Sequence, residues 1–209
     1  MAAVDAAHLG ARGRPTRHRH PTGVTIWFTG LPCAGKSTLA NMLSDDLRRR
    51  GRNVELLDGD LIRTTLSKGL GFSKEDRDTN IMRMSFVANL LSRNGVVCVV
   101  AAVSPYREAR ARCRAMIRDF VEIHVDATVD ACVRRDVKGM YRKAVAGEIT
   151  GFTGVDDPYE PPPSPEIYID TMTQTPEDSL RRILVRLGEL GYIDTPPTRR
   201  LAQRRAARK

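Results

Sequence analysis

The stretch VTIWFTGLPCAGKST, residues 24–38, decides the fold of this chain. Val24 to Thr29 is a β-branched and aromatic run that reads as a buried strand. Gly30-Leu31-Pro32-Cys33-Ala34-Gly35-Lys36-Ser37 follows at once and fits G-x-x-x-x-G-K-[ST] at every fixed position. Thr38 to Arg50 then reads as a helix. Strand, glycine loop and helix in that order distinguish a phosphate loop from a chance match. Gly30 and Gly35 allow backbone conformations that a side chain would block. The loop N–H groups can then cradle phosphate oxygens at the positive end of the helix. Lys36 is expected to reach the β- and γ-phosphates of a nucleoside triphosphate, Ser37 to put its hydroxyl on Mg²⁺, and Thr38 to complete the loop's share of the nucleotide site.

A chain of 209 residues suits one domain with tails. The formal net charge of +9 would suit a nucleic-acid partner, but its distribution argues otherwise. Residues 1–22 carry +3 and residues 195–209 carry +6, so residues 23–194 are formally neutral. The expected organisation is a basic disordered arm (1–22), a phosphate-loop kinase domain (23–194) and a basic C-terminal tail (195–209). Cys33, Cys98, Cys113 and Cys132 show no C-x-x-C spacing, which argues against a disulfide framework or zinc site and for a reducing, cytoplasmic setting. No apolar run is long enough to span a membrane, and the first 22 residues lack the apolar centre of a secretory signal.

Strands and helices alternate through the central part. Further strands are expected at Val54–Leu57, Val96–Val103, Phe120–Val125 and Ile167–Ile169. Helices are expected at Lys74–Ser92, from Pro105, from Val129 and over Pro176–Leu190. The alternation implies a three-layer α/β fold of the P-loop NTPase type, a parallel sheet with helices on both faces. Ligands should lie at the C-terminal ends of the strands. Residues 136–165, rich in glycine and proline, break the rhythm and read as a long irregular lid over that site.

Asp58-Gly59-Asp60 closes the second strand, well placed for magnesium and for accepting a hydroxyl proton, although Asp-Gly is also common turn chemistry. Arg63 follows Asp60 by three residues, and Asn80 follows Arg77 by three, each pair sharing a helical face. Arginines beside a phosphate site suit planar anions that they can grip bidentately.

Together with the loop, the stretches LLDGDLIR, LGFSKEDRDTNI, VSPYREAR, RRDVKGMYRKAVAGEITGFTGVDDPYEPP and SPEIYID resemble the adenylylsulfate kinases (APS kinases) in order from Gly23 to Asp170. The patterns LGFS-x-x-DR-x-x-N and KG-x-Y-x-KA-x-AGEI-x-x-FTG are far more specific than the phosphate loop. The resemblance implies phosphoryl transfer from Mg²⁺-ATP to the 3′-hydroxyl of adenosine 5′-phosphosulfate (APS), giving 3′-phosphoadenosine 5′-phosphosulfate (PAPS), by a homodimer. It implies that Asp60 lies next to the acceptor hydroxyl and that Arg63, Arg77 and Asn80 hold the phosphosulfate and ribose. Phe72 and Phe152 would sandwich the acceptor adenine, while Lys138 and Gly151 form the lid's share and Val103 lines the site. Ser104 occupies a position assigned in the family to a phosphoserine intermediate. In-line transfer needs no covalent step, so Ser104 reads instead as a contact to the acceptor nucleotide. Cys33 and Val103 depart modestly from the family pattern. Two rival readings stand beside this one: a related kinase for another nucleotide-linked acceptor, and a silent ATP- and APS-binding regulatory module. Intact Lys36, Ser37, Asp60 and Arg77 argue against the silent module.

Overall fold

The computed structural model describes residues 23–194, so both basic arms, and the expectations placed on them, lie outside the described residues. Five strands form one sheet: β1 (Val24–Thr29), β2 (Val54–Asp58), β3 (Val97–Ala101), β4 (Phe120–Asp126) and β5 (Ile167–Asp170). Their order is β2-β3-β1-β4-β5, and every pairing is parallel. The expected three-layer architecture is therefore borne out. β1, with the phosphate loop at its C-terminal end, is the middle strand.

The near-continuous apolar runs are explained by burial on both faces. Alternate residues point to opposite sides of a strand. Ile26 and Phe28 of β1, Val97 and Val99 of β3, and Ile123 and Val125 of β4 face one layer. That layer consists of α1 (Lys36–Arg49), through Leu39, Leu43 and Leu47, and α7 (Pro176–Glu189), through Ile183, Leu184 and Leu187. Trp27, Cys98, Val100 and Phe120 face the other. There they meet Ile81, Met84 and Ala88 of α3 (Lys74–Ser92) and Ala109 and Cys113 of α4 (Arg107–Met116). α3 has the predicted bounds, and Ser73 caps it by accepting the Asp76 amide at 3.1 Å.

Several boundaries differ from the sequence reading, and one short helix was not expected. α1 begins at Lys36 rather than Thr38, so Lys36 and Ser37 belong to its first turn. β3 stops at Ala101, because Val103 and Ser104 turn away, with Ser104 at φ 42. The helix expected from Pro105 starts at Arg107 behind Tyr106 as its N-cap. A short helix, α2 (Gly59–Thr64), follows β2 directly. Asp58 both ends that strand and caps that helix, taking the Asp60 amide at 3.0 Å.

The segment 136–165 is more regular than its glycine and proline content predicts. After α5 (Val129–Arg135) it forms α6 (Met140–Val145), whose first amides, from Tyr141 and Arg142, donate to the Asp136 carboxylate at 3.1 and 3.0 Å. Tyr141 is fully buried, and its hydroxyl donates to the Pro32 carbonyl at 3.1 Å. Further on, Tyr159 meets the Thr29 hydroxyl at 3.0 Å and the Glu160 amide donates to the Pro105 carbonyl at 2.9 Å. The aromatic residues thus fasten this segment to the loop and to the end of β1.

Candidate active site

The phosphate loop leaves the end of β1 with Gly30 at φ 151. A Cβ there would lie 2.2 Å from the Val125 carbonyl oxygen, so no larger residue fits. Gly35, at φ 106, is the N-cap of α1 and offers no side-chain cap. The first amides of α1 are consequently available to an anion, reinforced by the helix dipole. Lys36 is buried, and its ammonium donates to the carbonyls of Gly30 and Leu31 at 2.9 and 2.7 Å. Burial pushes its pKa down to about 8, opposed by the nearby thiols of Cys132 and Cys33 and the carboxylates of Asp58 and Asp60.

Because the folded value lies below the ordinary 10.5, charging Lys36 opposes folding below pH 8, and this penalty fades as pH rises from about 8 to 10.5. A triphosphate reverses the effect, since its negative charge favours the ammonium. Binding a nonhydrolysable ATP analogue at pH 8 should therefore take up about half a proton. Calorimetry in buffers of different ionisation enthalpy reads this directly, and Lys36→Met should abolish the uptake. Binding heats that do not depend on the buffer between pH 8 and 9 would contradict it.

One chain of contacts runs from the loop to the second strand. The Ser37 hydroxyl donates to Asp58 at 2.9 Å, and the same carboxylate takes the Asp60 amide through its other oxygen. Asp60 points outward to the Lys138 ammonium, whose pKa is raised chiefly by that hydrogen bond. Hydroxyl and carboxylate oxygens side by side suit a hard cation such as Mg²⁺, which keeps much of its water. Among the described residues no group of three or more His, Cys, Asp or Glu side chains is arranged for a metal, so a cation here would rely on phosphate oxygens and water as well.

A second group lies around Phe72, a residue 57% exposed. The Arg63 guanidinium sits 4.4 Å from the ring centroid and that of Arg77 5.9 Å away. The Arg63 pKa is lowered first by burial and next by Arg77, so two cations crowd one place. An anion there would relieve their repulsion. Arg63 also donates to the Gly71 carbonyl at 3.0 Å. Arg77 is buried and donates to the Phe72 carbonyl at 2.9 Å, to the Thr153 hydroxyl at 2.7 Å and to the Gly151 carbonyl. Phe152 stands edge-on to Tyr141 at 4.9 Å. Asn80 is buried with its Nδ2 on the Met84 sulfur, while its Oδ1 has no partner in the structure.

Two residues from the sequence reading are placed apart from this surface. Ser104 is 1% exposed, and its hydroxyl takes the Trp27 indole N–H at 3.1 Å and donates to the Thr29 hydroxyl at 3.0 Å. Val103 turns its carbonyl onto the same Thr29 hydroxyl at 2.8 Å. Other residues near the site carried no role in the sequence reading. Arg135 donates to the hydroxyl and carbonyl of Thr171, both at 3.0 Å, and the Thr171 methyl lies beside Gly35. Thr153, Asp156 and Asp157 lie inside the quoted FTGVDDPYE stretch, which was the available signal.

The chain is similar to known proteins over most of its length. A family model described as adenylylsulphate kinase matches residues 22–170. An adenylyl-sulfate kinase of Rippkaea orientalis is 58% identical over 174 residues, covering 83% of this chain and 96% of the relative. The solved APS kinase of Mycobacterium tuberculosis, described in complex with AMPPNP and APS, superposes with a TM-score of 0.77 at 41% identity, covering 80% of this chain and 98% of its own. A hexameric APS kinase from Thiobacillus denitrificans gives a TM-score of 0.66 at 40% identity, over 84% of this chain and 30% of its own.

Proposed function

We propose how this site works from one premise: the chain belongs to the adenylylsulfate kinase family. It is an ATP-dependent kinase that phosphorylates the 3′-hydroxyl of APS to give PAPS in sulfate assimilation. The observation carrying the residue assignments is the unbroken contact path Ser37–Asp58–Asp60–Lys138, with Arg63, Phe72 and Arg77 at its side. Phosphoryl transfer asks mainly for positioning and charge neutralisation; the path would serve the first, and Lys36, Arg63 and Arg77 the second.

In this reading the loop Gly30–Thr38 cradles the ATP phosphates, and the Lys36 ammonium leaves the Gly30 and Leu31 carbonyls for the β- and γ-oxygens. Ser37 and Asp58 would hold Mg²⁺, which when bound neutralises charge on the phosphates. Asp60 orients the acceptor hydroxyl and receives its proton, while Lys138 holds the carboxylate in place from the lid side. Arg63 and the remaining N–H groups of Arg77 face the phosphosulfate. Phe72 and Phe152 take the two faces of the adenine, and Gly151 closes the edge. The unpartnered Oδ1 of Asn80 accepts a hydrogen bond from the acceptor nucleotide. Val103, like Ser104, acts on the frame behind the site through the Thr29 hydroxyl.

Ser104 acts on the frame, in this reading, and forms no covalent phosphate. Ser104→Ala should retain turnover within about tenfold, while leaving the buried indole N–H of Trp27 unpaired at about 1–3 kcal/mol of stability. Acid-quenched single-turnover reactions with radiolabelled ATP should yield no phosphoserine. Stoichiometric label on Ser104, formed and consumed at a competent rate, would reverse the assignment.

The proposal extends to a homodimer in the cytoplasm. All four cysteines are free, as a reducing compartment requires, and no described helix is long and apolar enough to cross a membrane. Light scattering tests the dimer, with a hexamer as the rival outcome. The reaction itself is tested by ADP release from Mg²⁺-ATP with APS, with AMP and with no acceptor. Release is expected with APS alone, and equal turnover with AMP would remove the sulfate specificity.

A further inference from the structure

Arg77 joins the two loops that carry Phe72 and Phe152, because it holds a carbonyl of each, Phe72 and Gly151. Such a strap works only if residues 151–153 are themselves held. Asp156 does this: one carboxylate oxygen takes the Gly151 amide at 2.7 Å and the other takes the Phe152 amide at 2.6 Å. Asp157 secures the next residue, accepting from the Thr153 hydroxyl at 3.1 Å and from the hydroxyl of Tyr106, the N-cap of α4, at 2.8 Å. We propose that Asp156 is a positioning residue for the acceptor nucleotide, setting the Gly151–Phe152 turn so that the Phe152 ring and the Arg77 strap form one side of the adenine site. This rests on the reading of Phe72 and Phe152 as the two faces of that site.

Hydrogen bonds from backbone N–H groups to a carboxylate are charge-assisted and short. They also hold the Asp156 pKa below the usual carboxylate value. With both oxygens committed to amides, Asp156 acts through the turn rather than on the ligand. Gly151 and Gly154 at φ 66 and 94 make this turn pliable by composition. Without the carboxylate, the ordering of residues 151–153 would have to be supplied by APS binding itself, which weakens affinity.

The test uses the full chain with APS and ATP as probes. Asp156→Ala should raise KM for APS about tenfold, with kcat at saturating APS and KM for ATP changed by less than about twofold. Asp156→Asn keeps one acceptor oxygen and should recover part of the loss. On a Phe152→Ala background, Asp156→Ala should add little, because its effect passes through that ring. An unchanged KM for APS, an equal rise in KM for ATP, or full multiplicativity with Phe152→Ala would each overturn the proposal. If Phe152→Ala weakens APS while Asp156→Ala is silent, only this inference fails. If Phe152→Ala is itself silent, the stacking reading fails.

Discussion

Asp60→Asn should lower kcat by roughly 10²–10⁴, the range for a positioned acid–base group, with ATP affinity nearly unchanged. The substitution keeps the shape of the side chain and removes its charge and proton affinity. ATP should be spared because its phosphates are assigned to Lys36, Ser37 and the first amides of α1, none of which touches the Asp60 carboxylate. Folding should be spared as well. The Lys138 and Asp60 side chains are 63% and 71% exposed, and so open a pair contributes roughly 0–1 kcal/mol. Steady-state kinetics with both substrates, alongside calorimetry of a nonhydrolysable ATP analogue, separates the two effects. A mutant with near-native kcat would transfer the role to Asp58, which already takes the Ser37 hydroxyl.

Phe72→Ala and Phe152→Ala should each weaken APS by roughly tenfold to a hundredfold, because stacking a base on one aromatic contributes about 1–3 kcal/mol. The rings begin from different states. Phe152 is half-buried and set against Tyr141, whereas Phe72 is mostly exposed beneath the Arg63 guanidinium. On the proposed reading Phe152 would be the fixed wall and Phe72 the face that settles on the ligand. The double mutant should cost less than the sum of the singles, since neither ring traps the base alone. A double-mutant cycle on APS affinity, with proteolysis of residues 136–165 with and without APS, reads both halves of the argument. Strict additivity together with identical cleavage would show that the rings share no ligand and that this segment does not close.

The sequence revealed the scaffold well because its signals were local. An apolar run ending in Gly30, a helix bounded by Ser73 and Gly95, and Asp58 at a strand end are each legible from a few neighbouring residues. What it could not reveal was long-range. Nothing near Ser104 announces that its hydroxyl meets Trp27, 77 residues away. Arg77 reads as an anion grip from its spacing, yet three of its contacts go to residues 72, 151 and 153. The segment 136–165 reads as irregular because its glycines and prolines dominate the composition. Its order comes from single aromatic anchors, Tyr141 on Pro32 and Tyr159 on Thr29, which no periodicity encodes.

Trp27 is the one tryptophan in the chain, fully buried on the middle strand and three residues before the phosphate loop. The protein therefore carries a built-in optical probe of its scaffold. Its emission should be blue-shifted when folded and move red in a single step as the sheet comes apart, because the indole then meets water. Its indole N–H is already committed to Ser104, and its ring packs against Phe120 at 6.0 Å rather than against the segment 136–165. Nucleotide-driven movement of that segment should thus leave the signal nearly still. Intrinsic fluorescence should therefore report the stability of this scaffold, and a test of whether residues 136–165 move would need a dye placed on that segment.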